Sequence, residues 1–90
     1  MADITVTSID PRKFHVQIRE NDLETSHHVT VPESLINELQ LPEDGLDRVV
    51  RESFVFLLER ERASSIMSTF SLDVISDYFP EYKKELLERL

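Results

Sequence analysis

The side chains of this chain best suited to chemistry are its three histidines, His15, His27 and His28. His27 and His28 are adjacent, so in a strand they point to opposite faces. The strand pairing derived below sets His28 opposite Gln17 and His15 opposite Thr30. The two are then diagonal neighbours on a solvated face, with backbones roughly 7–8 Å apart. Two imidazoles hold a transition metal well when a carboxylate joins them. The neighbouring Thr5, Thr7 and Gln17 supply none, so no metal site is expected. His27 falls opposite Ile18, at the rim of the core face.

Eighteen carboxylates are present, but none has a recognisable catalytic spacing. One glycine rules out a Gly-rich phosphate loop, and neither G-x-S-x-G nor H-E-x-x-H occurs. Ser64 and Ser65 are read as helix-capping residues, not nucleophiles. The absence of cysteine removes disulfides, thiolate metal sites and cysteine nucleophiles together, and it fits a reducing cytoplasm. No enzyme activity and no cofactor are expected.

Four of the seven aromatic residues, Phe70, Tyr78, Phe79 and Tyr82, lie close together in the last quarter of the chain. Tyr78-Phe79-Pro80-Glu81-Tyr82 is too aromatic for a solvated linker. It either closes the open side of a core, with phenols at the rim, or forms a patch for a protein partner or a second copy. Arg48 and Arg51 lie near the start of a long helical pattern, where they could meet phosphate or a partner carboxylate. Arg60 and Arg62 alternate with Glu59 and Glu61, as on a neutralised, solvated end.

Three strands must position these groups. Ile4 and Val6 alternate with polar residues, as do Phe14, Val16 and Ile18, and then Val29 and Val31. A hairpin around Asp10-Pro11-Arg12 pairs Ile4 with Ile18, Val6 with Val16, and Ser8 with Phe14. A longer turn, Glu20 to Glu24, pairs Ile18 with His27, Val16 with Val29, and Phe14 with Val31. Both registers gather the apolar side chains on one face, and a one-residue slip in either would scatter them. The result is an antiparallel meander of order 1-2-3.

Pro32-Glu33 opens a short helix carrying Leu35, Ile36 and Leu39, and Pro42 stops it. Asp44 suits an N-cap for a long helix from Leu46 to Arg62. Its apolar stripe is Leu46, Val49, Val50, Phe54, Leu57 and Leu58. Val55 and Phe56 widen the stripe into five consecutive apolar residues, so cover is needed on most sides. A short turn through Met67 and Phe70 follows, then helical pieces Leu72 to Tyr78 and Pro80 onward, the last with Tyr82, Leu86 and Leu90 on one side. The expectation is an α+β fold, βββαααα, in which three to four helices cover one face of the meander. Ninety residues make one domain, with residues 1–32 as meander and 33–90 as the helical part.

Two resemblances add to this reading. His28-Val29-Thr30-Val31-Pro32-Glu33-Ser34-Leu35 resembles the ribbon-helix-helix proteins, and the likeness extends from Val29 to Glu61. It implies a dimeric strand ribbon whose outward side chains, here His28 and Thr30, read the major groove, with Arg48 and Arg51 near phosphate. Phe56-Leu57-Leu58-Glu59-Arg60-Glu61, Ser64-Ser65-Ile66 and Tyr78 to Tyr82 resemble a group of short uncharacterised prokaryotic proteins, which implies a shared fold.

Net charge is −8, and the first 45 residues hold nine acidic against three basic side chains. Phosphate contact drives nucleic-acid affinity, so this balance disfavours DNA or RNA as partner. The N-terminus lacks a basic-then-apolar leader, and no apolar run approaches a membrane span. A cytoplasmic location without a membrane partner is expected. The function expected is a non-catalytic protein-interaction domain that self-associates through Val55, Phe56, Tyr78, Phe79 and Tyr82. A ribbon-helix-helix-like DNA-binding or antitoxin-type regulator is the alternative.

Overall fold

A computed structural model describes residues 2–90. Strands β1 (Asp3–Asp10), β2 (Lys13–Glu20) and β3 (Leu23–Thr30) form the antiparallel meander that the alternation predicts. Helices α1 (Glu33–Leu39), α2 (Leu46–Leu58), α3 (Ile75–Tyr78) and α4 (Tyr82–Arg89) follow. A fourth strand, β4 (Thr69–Ser71), joins the sheet in parallel beside β3, giving the order β1-β2-β3-β4. The turn expected through Met67 and Phe70 is therefore partly strand. Its three residues are too few to show alternation, and their pairing partner lies some 40 positions away (His28 with Thr69).

The first hairpin has the expected register, with Ile4 opposite Ile18, Val6 opposite Val16 and Ser8 opposite Phe14. Ile9 is the extra residue of a bulge before Asp10 pairs with Lys13, and its side chain is exposed. The second hairpin departs from the expected pairing by two residues. Ile18 faces Thr25, Val16 faces His27 and Phe14 faces Val29. The turn is a two-residue loop, because Asn21 takes φ 56 and lets Glu20 pair directly with Leu23. Asparagine tolerates this left-handed conformation, which tight hairpins require. A two-residue shift leaves every side chain on its expected face, so the apolar pattern is indifferent to it.

The shift relocates His27. It lies in mid-strand opposite Val16, fully buried, and not at the rim. Its Nδ1 is 2.7 Å from the Met67 carbonyl oxygen and its Nε2 is 2.9 Å from Thr25 Oγ1. The carbonyl can only accept, so Nδ1 carries the proton. His27 thus fastens the chain at Met67 beside β3, and the amide of His28 reinforces this by donating to Ser68 O at 2.7 Å.

Helix α2 is the central rod. Val49, Val50 and Phe54 are fully buried, and Phe54 meets His27 and Phe70 with ring centroids 5.4 and 5.9 Å apart. On another side of the rod, Phe56 packs against Tyr82 at 5.3 Å and Phe79 at 5.9 Å. The sheet and α4 therefore bury Phe54 and Phe56 of the five-residue apolar run within one chain, while Val55 and Leu58 are half-buried. The helix ends at Leu58, short of Arg62, and the chain then turns to bring Ala63 and Ile66 into the core. It is entered through a 3₁₀ turn, Glu43–Gly45, and Asp44 makes no side-chain cap.

Arg60 locks the end of α2 onto α4. Its guanidinium carbon lies 3.7 Å from the Phe56 ring centroid, and its nitrogens reach Glu81 at 3.3 Å and Glu85 at 2.7 Å. Arg89 adds a 2.6 Å ion pair to Glu59 and holds the Glu59 carboxyl below the usual range, chiefly through this hydrogen bond. No helix among the described residues is long and apolar enough to cross a membrane.

Candidate functional site

An apolar groove opens where the end of α2, the Ser65–Phe70 segment and α3 meet. Leu57 and Ile75 form its buried floor, and its volume is about 230 Å³. Phe70, Val74 and Phe79 are half-buried in its walls, while Met67 and Tyr78 stand at its mouth. Met67 is 44% exposed and Tyr78 68%, and the two flank the same concave apolar surface. The His27–Met67 bond and the β4 ladder fix one wall. The Phe79 amide, donating to Ile75 O at 2.8 Å, fixes the turn that presents Tyr78.

One carboxylate, Glu61, lines the groove, and it makes no ion pair within the described residues. Arg60 is engaged by Glu81 and Glu85, and Arg62 lies with Ser64 beside the Asn21-Asp22 turn. The groove can therefore take an apolar side chain and favours positive charge around it.

Of the expected partner contacts, Phe56 and Tyr82 are fully buried and cannot touch another molecule in the folded chain. Each is covered by the other, because α4 folds back over α2. Burial, with a smaller push from the Asp73 charge, raises the Tyr82 phenol to about 12, although its bond to Ser53 works the other way. Val55 is half-buried and outside the groove. Tyr78 and Phe79 belong to the groove, together with Ile66, Met67, Phe70 and Val74, which sequence reasoning missed. The available signal was a methionine, adaptable in shape, three residues before the aromatic stretch that begins at Phe70.

The residues expected to meet nucleic acid are dispersed. His28 and Thr30 lie on the solvated sheet face. Arg48 donates to the Arg89 carbonyl at 3.2 Å and Arg51 to the Ile4 carbonyl at 2.8 Å, so both guanidinium groups bind backbone within the chain. Over His28, Val29 and Thr30, the stretch that resembles the ribbon, strand β3 is paired on both edges, with β2 and with β4.

The register shift brings His15 and His28 directly opposite each other, not diagonal, with ring centroids 5.0 Å apart. A two-residue Asn-Asp loop is the sequence signal that would have placed them so. Among the described residues no cluster of three or more His, Cys, Asp or Glu converges on a point. No family model, no curated protein and no solved structure matches this chain.

Proposed function

We propose that this chain is a small non-catalytic protein-interaction module whose groove receives an apolar side chain from a basic segment of a partner protein. The observation that carries this reading is the exposure of Met67 and Tyr78 over an apolar groove that Glu61 also lines. Apolar side chains exposed together around a concave apolar groove, unlike singly scattered ones, mark a surface suited to a partner. A second copy is the less suited partner, since it brings its own net charge of −8. The surplus apolar surface that argued for self-association is also smaller, because Phe56 and Tyr82 are spent inside the chain.

The chain has two methionines, so methyl labelling yields a simple spectrum in which Met67 reports on the groove. Two amphipathic helical peptides with identical leucine positions, one Lys-rich and one Glu-rich, serve as probes. The Lys-rich peptide is expected to shift the Met67 methyl saturably, and Tyr78→Ala to weaken this at least tenfold. The Glu-rich peptide is expected to do neither. Equal response to both peptides, or none to either, would refute the reading. A Met67 signal that moves with protein concentration alone would assign the groove to a second copy.

A further inference from the structure

We infer that His15 and His28 form a two-imidazole site for a late first-row divalent cation of the Cu²⁺, Ni²⁺, Zn²⁺ class on the open face of the sheet. The site is independent of the groove.

The pair sits in one straight cross-strand row, Thr7–His15–His28–Thr69, that spans all four strands. No charged side chain belongs to that row, so nothing within it neutralises or repels an arriving ion. The helices pack on the other face, which leaves His28 exposed and His15 half-buried. His27 differs sharply: both its ring nitrogens are occupied, by Met67 O and Thr25 Oγ1. Among the described residues neither His15 nor His28 has a side-chain hydrogen-bond partner, so their ring nitrogens are available as donors to a metal.

The spacing fits chelation. Metal–nitrogen bonds of about 2.0–2.1 Å place each imidazole centroid roughly 3.2 Å from the ion. A ligand–metal–ligand angle of about 90–110° then separates the two centroids by roughly 4.5–5.2 Å. The observed separation is 5.0 Å, with the ring planes tilted by 51°. Rotation about each metal–nitrogen axis leaves the centroid separation unchanged, so the tilt is compatible with shared coordination. Strands hold the two backbones at fixed separation, and the chelate therefore forms without ordering a loop. Imidazole pairs suit copper, nickel and zinc, with copper bound most strongly. Water completes the coordination shell on the open side.

The test is a titration of the full chain, free of any tag, with Cu²⁺ alone at neutral pH. Calorimetry reads affinity and stoichiometry, and amide signals broadened by the paramagnetic ion read position. The expected result is one ion per chain, with broadening centred on His15, His28, Thr7 and Thr69. His15→Gln and His28→Gln are each expected to lower affinity at least tenfold, because either change destroys the chelate. Both positions lie on the solvated face, and an unperturbed amide spectrum without metal verifies folding. Two imidazoles acting independently would leave the remaining site at unchanged affinity, and that outcome overturns the inference. Broadening centred on the N-terminal residues, or no binding at millimolar Cu²⁺, overturns it equally.

Discussion

The buried hydroxyl pair between α2 and α4 offers the sharpest test of how this core is assembled. Ser53 Oγ is 2.7 Å from the Val49 carbonyl and 2.7 Å from Tyr82 Oη. Ser53 must donate to the carbonyl, so Tyr82 donates to Ser53. Removing each hydroxyl therefore has a different cost. Tyr82→Phe deletes a donor and leaves Ser53 bonded to Val49, a loss of about 1 kcal/mol. Ser53→Ala strands the phenol in the core, a loss of about 1–3 kcal/mol, partly offset by the better helix propensity of alanine, about 0.5 kcal/mol. In the double variant the stranded phenol is gone, so the two losses fall short of additive. Alkali supplies a second arm. The folded phenol is pushed up to about 12 from the usual 10, mainly by burial. Above the unfolded value the unfolded chain releases this proton and the folded chain keeps it, so stability falls as pH rises. The full contribution is present below pH 10 and is lost by about pH 12. The rise from 10 to about 12 corresponds to a loss of roughly 3 kcal/mol. Urea denaturation at steps from pH 8 to 12 reads both arms, with Tyr82→Phe as the reference that lacks the alkaline loss. A wild-type minus Tyr82→Phe difference that stays constant with pH would refute the assigned burial. Single losses that add fully in the double variant would refute the bond assigned between the two hydroxyls.

Three further outcomes follow from the same packing. Gln40 holds φ 53 after α1, with its amide bonded to Ile36 O, so Gln40→Gly is expected to raise stability by about 0.5–1 kcal/mol in urea denaturation; a loss would mean the glutamine side chain contributes more than the backbone strain. Arg60→Ala removes the stacking on Phe56 and the ion pairs to Glu81 and Glu85, and should cost about 1–2 kcal/mol. Arg60→Lys should recover less than half of this, since a lysine lacks the planar fork, and the thermal midpoint checks both. Phe54→Ala empties the centre of the core and should cost about 3–5 kcal/mol. For so short a chain that is enough to populate the unfolded state, visible as collapse of amide dispersion.

Much of this architecture was legible in residue order. Alternation along Ile4, Val6, Phe14, Val16 and Ile18 is a local property of strands, and it specifies which side chains share the greasy face. Three-four spacing from Leu46 to Leu58 likewise specifies the helix and its buried stripe, and surplus apolar side chains at Val55 and Phe56 announce cover on more than one side. Period-two patterning carries parity and nothing finer, so it could not distinguish the two registers of the second hairpin. The backbone of Asn21, left-handed in a two-residue loop, decided between them. That choice buried His27 and set His15 against His28. The pairing of β4 with β3, and the burial of Phe56 and Tyr82 against each other, depend on contacts between distant segments that no local pattern encodes. The groove has the same origin: it is the space left where three separate segments meet, and only their packing determines that Met67 and Tyr78 remain outside.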